Sequence, residues 1–84
     1  MLNQVSLMGR IGCTSITTQS FILVQDEDTA FEIYTNEEIA EEIDRIYYSG
    51  EDPVIVAKGH LIPNQEDLLK TTIIAEKIFV LENK

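Results

Sequence analysis

The sequence predicts an all-β domain with one helix, in which three strands precede the helix and two follow it. Over most of the chain apolar residues alternate with a period of two, which is typical of strands. The period changes to that of a helix only after residue 36, and the helical pattern ends before Gly50. Eighty-four residues suffice for one domain and leave no room for a second, so residues 1–84 are predicted to form a single domain.

The first predicted strand lies at the start of the chain. Every second residue there is apolar or glycine, and the alternating set is Val5, Leu7, Gly9 and Ile11. Because successive side chains of a strand point to opposite faces, this pattern predicts a half-buried strand. The strand is expected to end near Gly9 and Gly12.

A hairpin is predicted next. The segment 14–25 is rich in β-branched residues, the acidic triplet 26–28 interrupts it, and a second arm then resumes the strand pattern. In that arm Phe31 and Ile33 share one face, and Tyr34 lies on the opposite face.

One amphipathic helix is predicted after this hairpin. Thr35 or Asn36 serves as its N-cap, and Gly50 with Pro53 ends it. Its acidic residues are expected to form a solvated face rather than a pair of catalytic carboxylates. The apolar residues that recur at helical spacing are Ile39, Ala40, Ile43, Ile46 and Tyr47.

Two strands complete the pattern, over residues 54–62 and 69–81, with a turn over 63–67 between them. Five strands with a helix between the third and the fourth is the order of an OB-fold. This fold is a five-stranded Greek-key barrel whose exposed sheet face and loops bind oligonucleotides or other partners.

Composition excludes several classes of function. The chain has 15 acidic and 6 basic residues and a formal charge of −9, which opposes binding to polyanions unless a local basic patch exists. Cys13 is the single cysteine, so no intramolecular disulfide forms, and a cytoplasmic location is expected. The sequence gives no metal-ligand spacing, catalytic pair or phosphate-binding glycine loop, so we expect no enzyme, no metal and no cofactor. No apolar run is long enough for a membrane segment, and no membrane association is expected.

Three segments carry short motifs that match one family in the same order. Residues 1–11 read MLNQVSLMGRI, residues 54–61 read VIVAKGHL, and residues 71–82 read TTIIAEKIFVLE. They resemble the first, fourth and final strands of bacterial single-stranded DNA-binding proteins. The resemblance covers most of the chain and implies a minimal, loop-trimmed OB-fold member that binds single-stranded DNA in replication or recombination.

The same resemblance implies how nucleic acid is held. Members of this family stack bases on aromatic side chains within a basic groove. Tyr34 falls at the family's aromatic position at the end of strand three, whereas Asp28 stands near the position of a second aromatic residue. The loops that carry the other two aromatics are short and acidic here. Of the four aromatic stacking positions of the family, this chain therefore keeps only the one at Tyr34.

The predicted nucleic-acid-binding residues are Tyr34, Arg10, Lys58, His60 and Lys70. Each has an ordinary structural alternative. Tyr34 also suits a half-buried tyrosine at the rim of a barrel, and scattered cations are also found on solvated strand edges. His60 has no second histidine to form a metal site or catalytic pair and also suits a polar strand residue.

Two functions follow from these residues. In the first, the protein binds single-stranded DNA weakly and largely without sequence preference through the barrel face and its basic strand residues. In the second, the OB-fold is a protein-interaction or assembly module that binds a basic protein partner or mimics nucleic-acid charge without binding DNA. Self-association as a dimer or tetramer is expected in either case, because so small a domain buries little surface alone.

Overall fold

The computed structural model describes residues 4–63 and 71–81. Its strands form a closed barrel in the order β1-β2-β3-β5-β4, in which β3 and β5 run parallel and the other neighbours run antiparallel. The predicted five-stranded barrel with a helix between strands three and four is thereby confirmed. The elements are β1 (Gln4–Ser15), β2 (Ser20–Val24), β3 (Ala30–Tyr34), α1 (Glu37–Tyr48), β4 (Ile55–Pro63) and β5 (Thr71–Val80).

The first strand is longer than its pattern predicts. β1 does not end near Gly9 and Gly12; it continues to Ser15 through a bulge between Ile11 and Cys13. An extra residue at a bulge shifts the alternation, so the apolar period stops while the pairing continues. Much of the segment predicted to begin the hairpin is therefore the end of β1 and a turn that closes with a 3.2 Å hydrogen bond from the Gln19 amide to the Ile16 carbonyl.

The core fills the barrel and extends to the inner side of the helix. The fully buried large side chains are Phe21, Leu23, Ile33, Ile43 and Ile55. Each contributes about 1.5–3 kcal/mol by leaving water. Four of these five lie on strands and Ile43 lies on α1, so the helix packs into the same core as the strands.

Both ends of the helix are capped by polar side chains. The Asn36 side chain accepts a 2.8 Å hydrogen bond from the Ile39 amide, which confirms Asn36 as the N-cap. At the other end the Ser49 hydroxyl donates to the Ile46 carbonyl over 2.6 Å, and Gly50 adopts a φ of +80°. α1 spans 12 residues, and within the described part of the chain no helix has the length and hydropathy needed to cross a membrane.

A second bulge shapes the pair β4 and β5. Lys58 pairs with Lys77 and Gly59 pairs with Ala75, so Glu76 is the extra residue. A Cβ atom on Gly59 would lie 1.8 Å from the Ile74 carbonyl oxygen, so the strands approach this closely only because residue 59 has no side chain. Most of the predicted turn over 63–67 lies outside the described residues.

Replacing Gly59 with alanine is expected to lower the free energy of unfolding by about 3 kcal/mol or more, the upper end of overpacking effects. The added methyl group meets backbone, so two strands must separate. Gly12→Ala is the control, because its methyl group would meet the Val24 Cγ2 atom at 2.8 Å, and that side chain can rotate. Urea unfolding, monitored by circular dichroism, measures the free energy of unfolding of the two variants. Equal decreases in that free energy would contradict this account of the bulge.

Candidate nucleic-acid interface

A row of side chains crosses the outer surface of the barrel over four strands. Tyr34 on β3 pairs with Ile74 on β5, Ile74 pairs with His60 on β4, and His60 pairs with Gln4 on β1. Cross-strand partners point to the same side of a sheet. Neighbouring strands lie about 4.8 Å apart, so the backbones that carry Tyr34 and His60 are roughly 10 Å apart.

A second row lies beside the first. Lys58 pairs with Ser6 on one side and with Lys77 on the other, and all three side chains point outward. They line a shallow concavity of about 380 Å³ together with Gln4 and Glu76. Two directly opposed ammonium groups repel each other and raise the local positive potential, which favours an anion above them.

One of these lysines also contacts an aromatic ring. The Lys58 Nζ atom lies 5.5 Å from the centre of the Phe79 ring, within the range of a cation–π interaction. Phe79 is itself about half exposed on the outer face. The contact holds the Lys58 ammonium over the sheet instead of letting it extend freely into solvent.

Tyr34 is held by its own strand. Its side chain is exposed, and its hydroxyl donates a 2.9 Å hydrogen bond to the Glu32 carboxylate two residues earlier. That hydrogen bond raises the pKa of Tyr34, and the negative charge of Glu32 raises it further. The phenol therefore stays neutral to higher pH than a free tyrosine, and its ring is positioned before any ligand arrives.

His60 contacts the carboxylate of the bulge residue. Its Nδ1 atom lies within hydrogen-bond distance of the Glu76 Oε1 atom, and both side chains remain partly exposed. Glu76 therefore places an acid in the middle of the cationic rows. The charges of Lys58 and Lys77 are matched by those of Glu32 and Glu76, and Glu38 and Glu42 of α1 line a neighbouring cavity together with Lys77. Carboxylates therefore outnumber the two lysines here, on a chain of net charge −9.

Two predicted residues are not part of these rows. Arg10 on β1 pairs with Val24 on β2, and Val24 pairs with Ala30 on β3. Ala30 lies four residues before Tyr34, a distance of about 13 Å along the strand, so Arg10 is far from the row of Tyr34. Its Nε atom lies 3.8 Å from the Asp52 Oδ2 atom, in an ion pair whose two side chains are both more than half exposed. Lys70 lies outside the described residues. The structure thus brings Tyr34, Lys58 and His60 together and leaves Arg10 elsewhere.

Lys77 is not among the binding residues that the sequence predicts. The inward residues of β5 are Ile73, Ala75 and Ile78, so their spacing lengthens from two to three around Glu76 and Lys77. That change in spacing is the signature of a bulge, and it was available in the sequence. Only the register with β4, however, shows that the bulge sets Lys77 opposite Lys58.

Several solved structures of other proteins share this architecture. The mitochondrial single-stranded DNA-binding protein Rim1 from S. cerevisiae has a TM-score of 0.74 at 13% identity, over 100% of this chain and 99% of that one. A small single-stranded DNA-binding protein from Mycoplasma pneumoniae has a TM-score of 0.63 at 27% identity, over 100% of this chain and 92% of that one. The fold is an OB-fold, and proteins of the single-stranded DNA-binding type are among its structural neighbours.

A third neighbour has a different kind of ligand. The protein OBody NL8, in a structure bound to hen egg-white lysozyme, has a TM-score of 0.63 at 15% identity, over 96% of this chain and 97% of that one. At this identity the likeness shows the fold alone. Comparison with family models gives no match, and comparison with curated protein sequences gives none either.

Glu32→Gln is expected to lower the pKa of Tyr34 toward the ordinary tyrosine value, because it removes the negative charge next to the phenol. At pH values below the ordinary tyrosine pKa, the hydrogen bond between Tyr34 and Glu32 contributes fully to the stability of the wild type. That contribution is lost as the pH rises through the raised pKa of Tyr34. Phenolate absorbance during an alkaline titration measures the change. Glu27→Gln, in the acidic turn, is the control. Identical titrations of the wild type and Glu32→Gln would show that the hydrogen bond does not form.

Proposed function

We propose that this protein binds single-stranded DNA, weakly and largely without sequence preference, on the outer face of β3, β5, β4 and β1, in replication or recombination. The observation that carries the proposal is the cross-strand register, which places one exposed tyrosine beside two lysines and a histidine. The small Mycoplasma pneumoniae protein, 27% identical over the whole of this chain, supports it, since that protein binds single-stranded DNA.

The chemistry of the face suits a strand that runs across the barrel. A base stacks on the Tyr34 ring, a contact worth about 1–3 kcal/mol, and Ile74 offers apolar surface beside it. Lys58 and Lys77 contact the phosphates that follow, and His60 adds a positive charge when it is protonated. The face is open and continuous, which suits contact with a polymer rather than an enzymatic reaction.

Charge limits the strength of this binding. Glu32 and Glu76 lie among the cations, and the rest of the chain carries a large negative charge. Two phosphate contacts on a single strand give a slope of roughly −1.4 in a plot of log affinity against log salt. One protomer therefore binds weakly, and several protomers joined together add their small sites on one strand.

Self-association is part of the proposal, as a dimer or a tetramer. A stripe of apolar side chains crosses the outer face one row beyond the lysines, formed by the paired residues Met8, Val56 and Phe79. Met8 and Phe79 are each about half exposed, and exposed apolar stripes on a sheet mark contact surfaces. Contact between copies along this stripe leaves the row of Tyr34 accessible.

The net charge favours a second candidate function. A chain of net charge −9 attracts basic proteins more readily than polyanions, and OBody NL8 shows an OB-fold bound to a protein. In this alternative the barrel is an interaction or assembly module that binds no DNA. A folded protein that leaves a labelled oligothymidine unbound at low salt is the result that favours it.

Tyr34→Ala is expected to weaken binding of a labelled oligothymidine by about 1–3 kcal/mol, because one stacking contact is lost. Fluorescence anisotropy at low and at near-physiological salt measures the affinity. Tyr48→Ala is the control, since it removes a tyrosine that is more exposed than Tyr34 (73% against 39%) from the far end of α1. Equal weakening by the two variants would contradict the assignment of Tyr34 as the stacking residue.

Lys77→Gln and Lys58→Gln are each expected to reduce the magnitude of the salt slope by about 0.7, the share of one phosphate contact on a single strand. Arg45→Gln on the helix is the control, because it removes the same charge from a different surface. Glu76→Gln is expected to raise affinity at low salt, since it removes the acid between the lysines. A uniform effect of all three cation variants would indicate a response to net charge alone.

A further inference from the structure

A second concavity lies at the opposite end of the helix from Tyr34. Its volume is about 410 Å³, in the range of sites that hold a few side chains of a ligand. Twelve helical residues span about 18 Å, so this concavity is well separated from the proposed nucleic-acid face. Its lining includes Ile11, Ile46, Tyr47, Tyr48, Asp52 and Pro53.

The aromatic lining is unusual for a surface without a partner. Tyr48 is 73% exposed, and its ring meets that of Tyr47 edge to face, with centroids 5.0 Å apart and planes at 81°. Neither ring is part of the barrel core. Tyrosines are among the side chains that contribute most to protein interfaces, since they give large contact area at a low cost in conformational entropy.

The surroundings of the concavity are electronegative. It lies at the C-terminal end of α1, where the helix dipole favours positive charge, and Asp52 is on its rim. The end of α1 and the loop that follows it, residues 44–52, hold three acidic residues and one arginine. The apolar residues, the aromatic rings and the negative charge of the concavity together suit a cation carried by an aliphatic chain. Arginine and lysine side chains have this chemistry.

The chain itself shows that a guanidinium is accommodated at this rim. The Arg10 Nε atom lies 3.8 Å from the Asp52 Oδ2 atom, and the two side chains are 52% and 67% exposed. A single long contact between exposed groups is worth little and is easily exchanged. A guanidinium from another molecule that also covers the Tyr48 ring gains contact area that Arg10 does not obtain.

We propose that this concavity, formed by the end of α1, the following loop and Ile11 of β1, is a docking site for a basic peptide segment of another protein. An arginine or lysine of the peptide lies between Tyr48 and Asp52, and a neighbouring aliphatic residue contacts Ile46 and Pro53. Because the site and Tyr34 lie at opposite ends of a helix about 18 Å long, the peptide leaves Tyr34 accessible to a nucleic acid strand.

A synthetic peptide of alternating arginine and leucine is the probe, titrated against the full chain and followed by backbone amide NMR shifts. We expect the shifts to concentrate at residues 46–53. A peptide of alternating arginine and glycine is the control for charge alone, and it is expected to bind at least several-fold more weakly. Shifts spread over the whole acidic surface, or equal affinity for both peptides, would overturn the proposal.

Three variants locate the site. Tyr48→Ala is expected to lower the affinity for the arginine-leucine peptide at least about tenfold, which is the scale of an aromatic anchor in an interface. Tyr48→Phe is expected to retain most of that affinity. Arg10→Gln is expected to strengthen peptide binding a few-fold, since Asp52 loses its present partner. Unchanged affinity in a folded Tyr48→Ala protein would sink the proposal, whatever the result with oligothymidine.

Discussion

The parallel pairing of β3 with β5 is the constraint on which the rest of the structure depends. It closes the barrel, and its two register pairs are Ile33 with Ile73 and Tyr34 with Ile74. The first pair points inward and completes the core, while the second points outward and brings Tyr34 level with the residues of β4. Because side chains alternate along a strand, one closure provides both the buried core and the exposed row.

The proposed interface depends equally on an irregularity. A regular β5 would carry Glu76 and Lys77 on opposite faces, one of them toward the core. The bulge opposite Gly59 instead leaves both exposed, with Lys77 opposite Lys58 and Glu76 against His60. The resulting face places an acid among the cations, so Glu76 opposes the proposed phosphate contacts locally, in addition to the effect of net charge.

The helix separates two kinds of surface. At its N-terminal end the chain leaves β3 directly after Tyr34 and enters the Asn36 cap. At its C-terminal end Tyr47 and Tyr48 emerge beside an acidic loop. Since Ile39 and Ile43 anchor the helix in the barrel core, the two ends are held at a fixed separation. A sheet face that combines lysines with carboxylates and an electronegative aromatic concavity therefore lie on the same chain of 84 residues.

Local sequence pattern predicts the order of the elements, an N-cap at Thr35 or Asn36, the inward set of β3 and the outward position of Tyr34. These follow from local alternation and capping chemistry, which depend on near neighbours along the chain. It misplaced the end of β1, because a bulge breaks the period while pairing continues. The pairing of the strands in the folded protein adds Tyr34 and Lys77 to the strand face that Lys58 and His60 share. The ion pair of Arg10 with Asp52 likewise forms only in the folded protein. Register between strands distant in sequence is set by closure of the whole barrel, which no local pattern specifies.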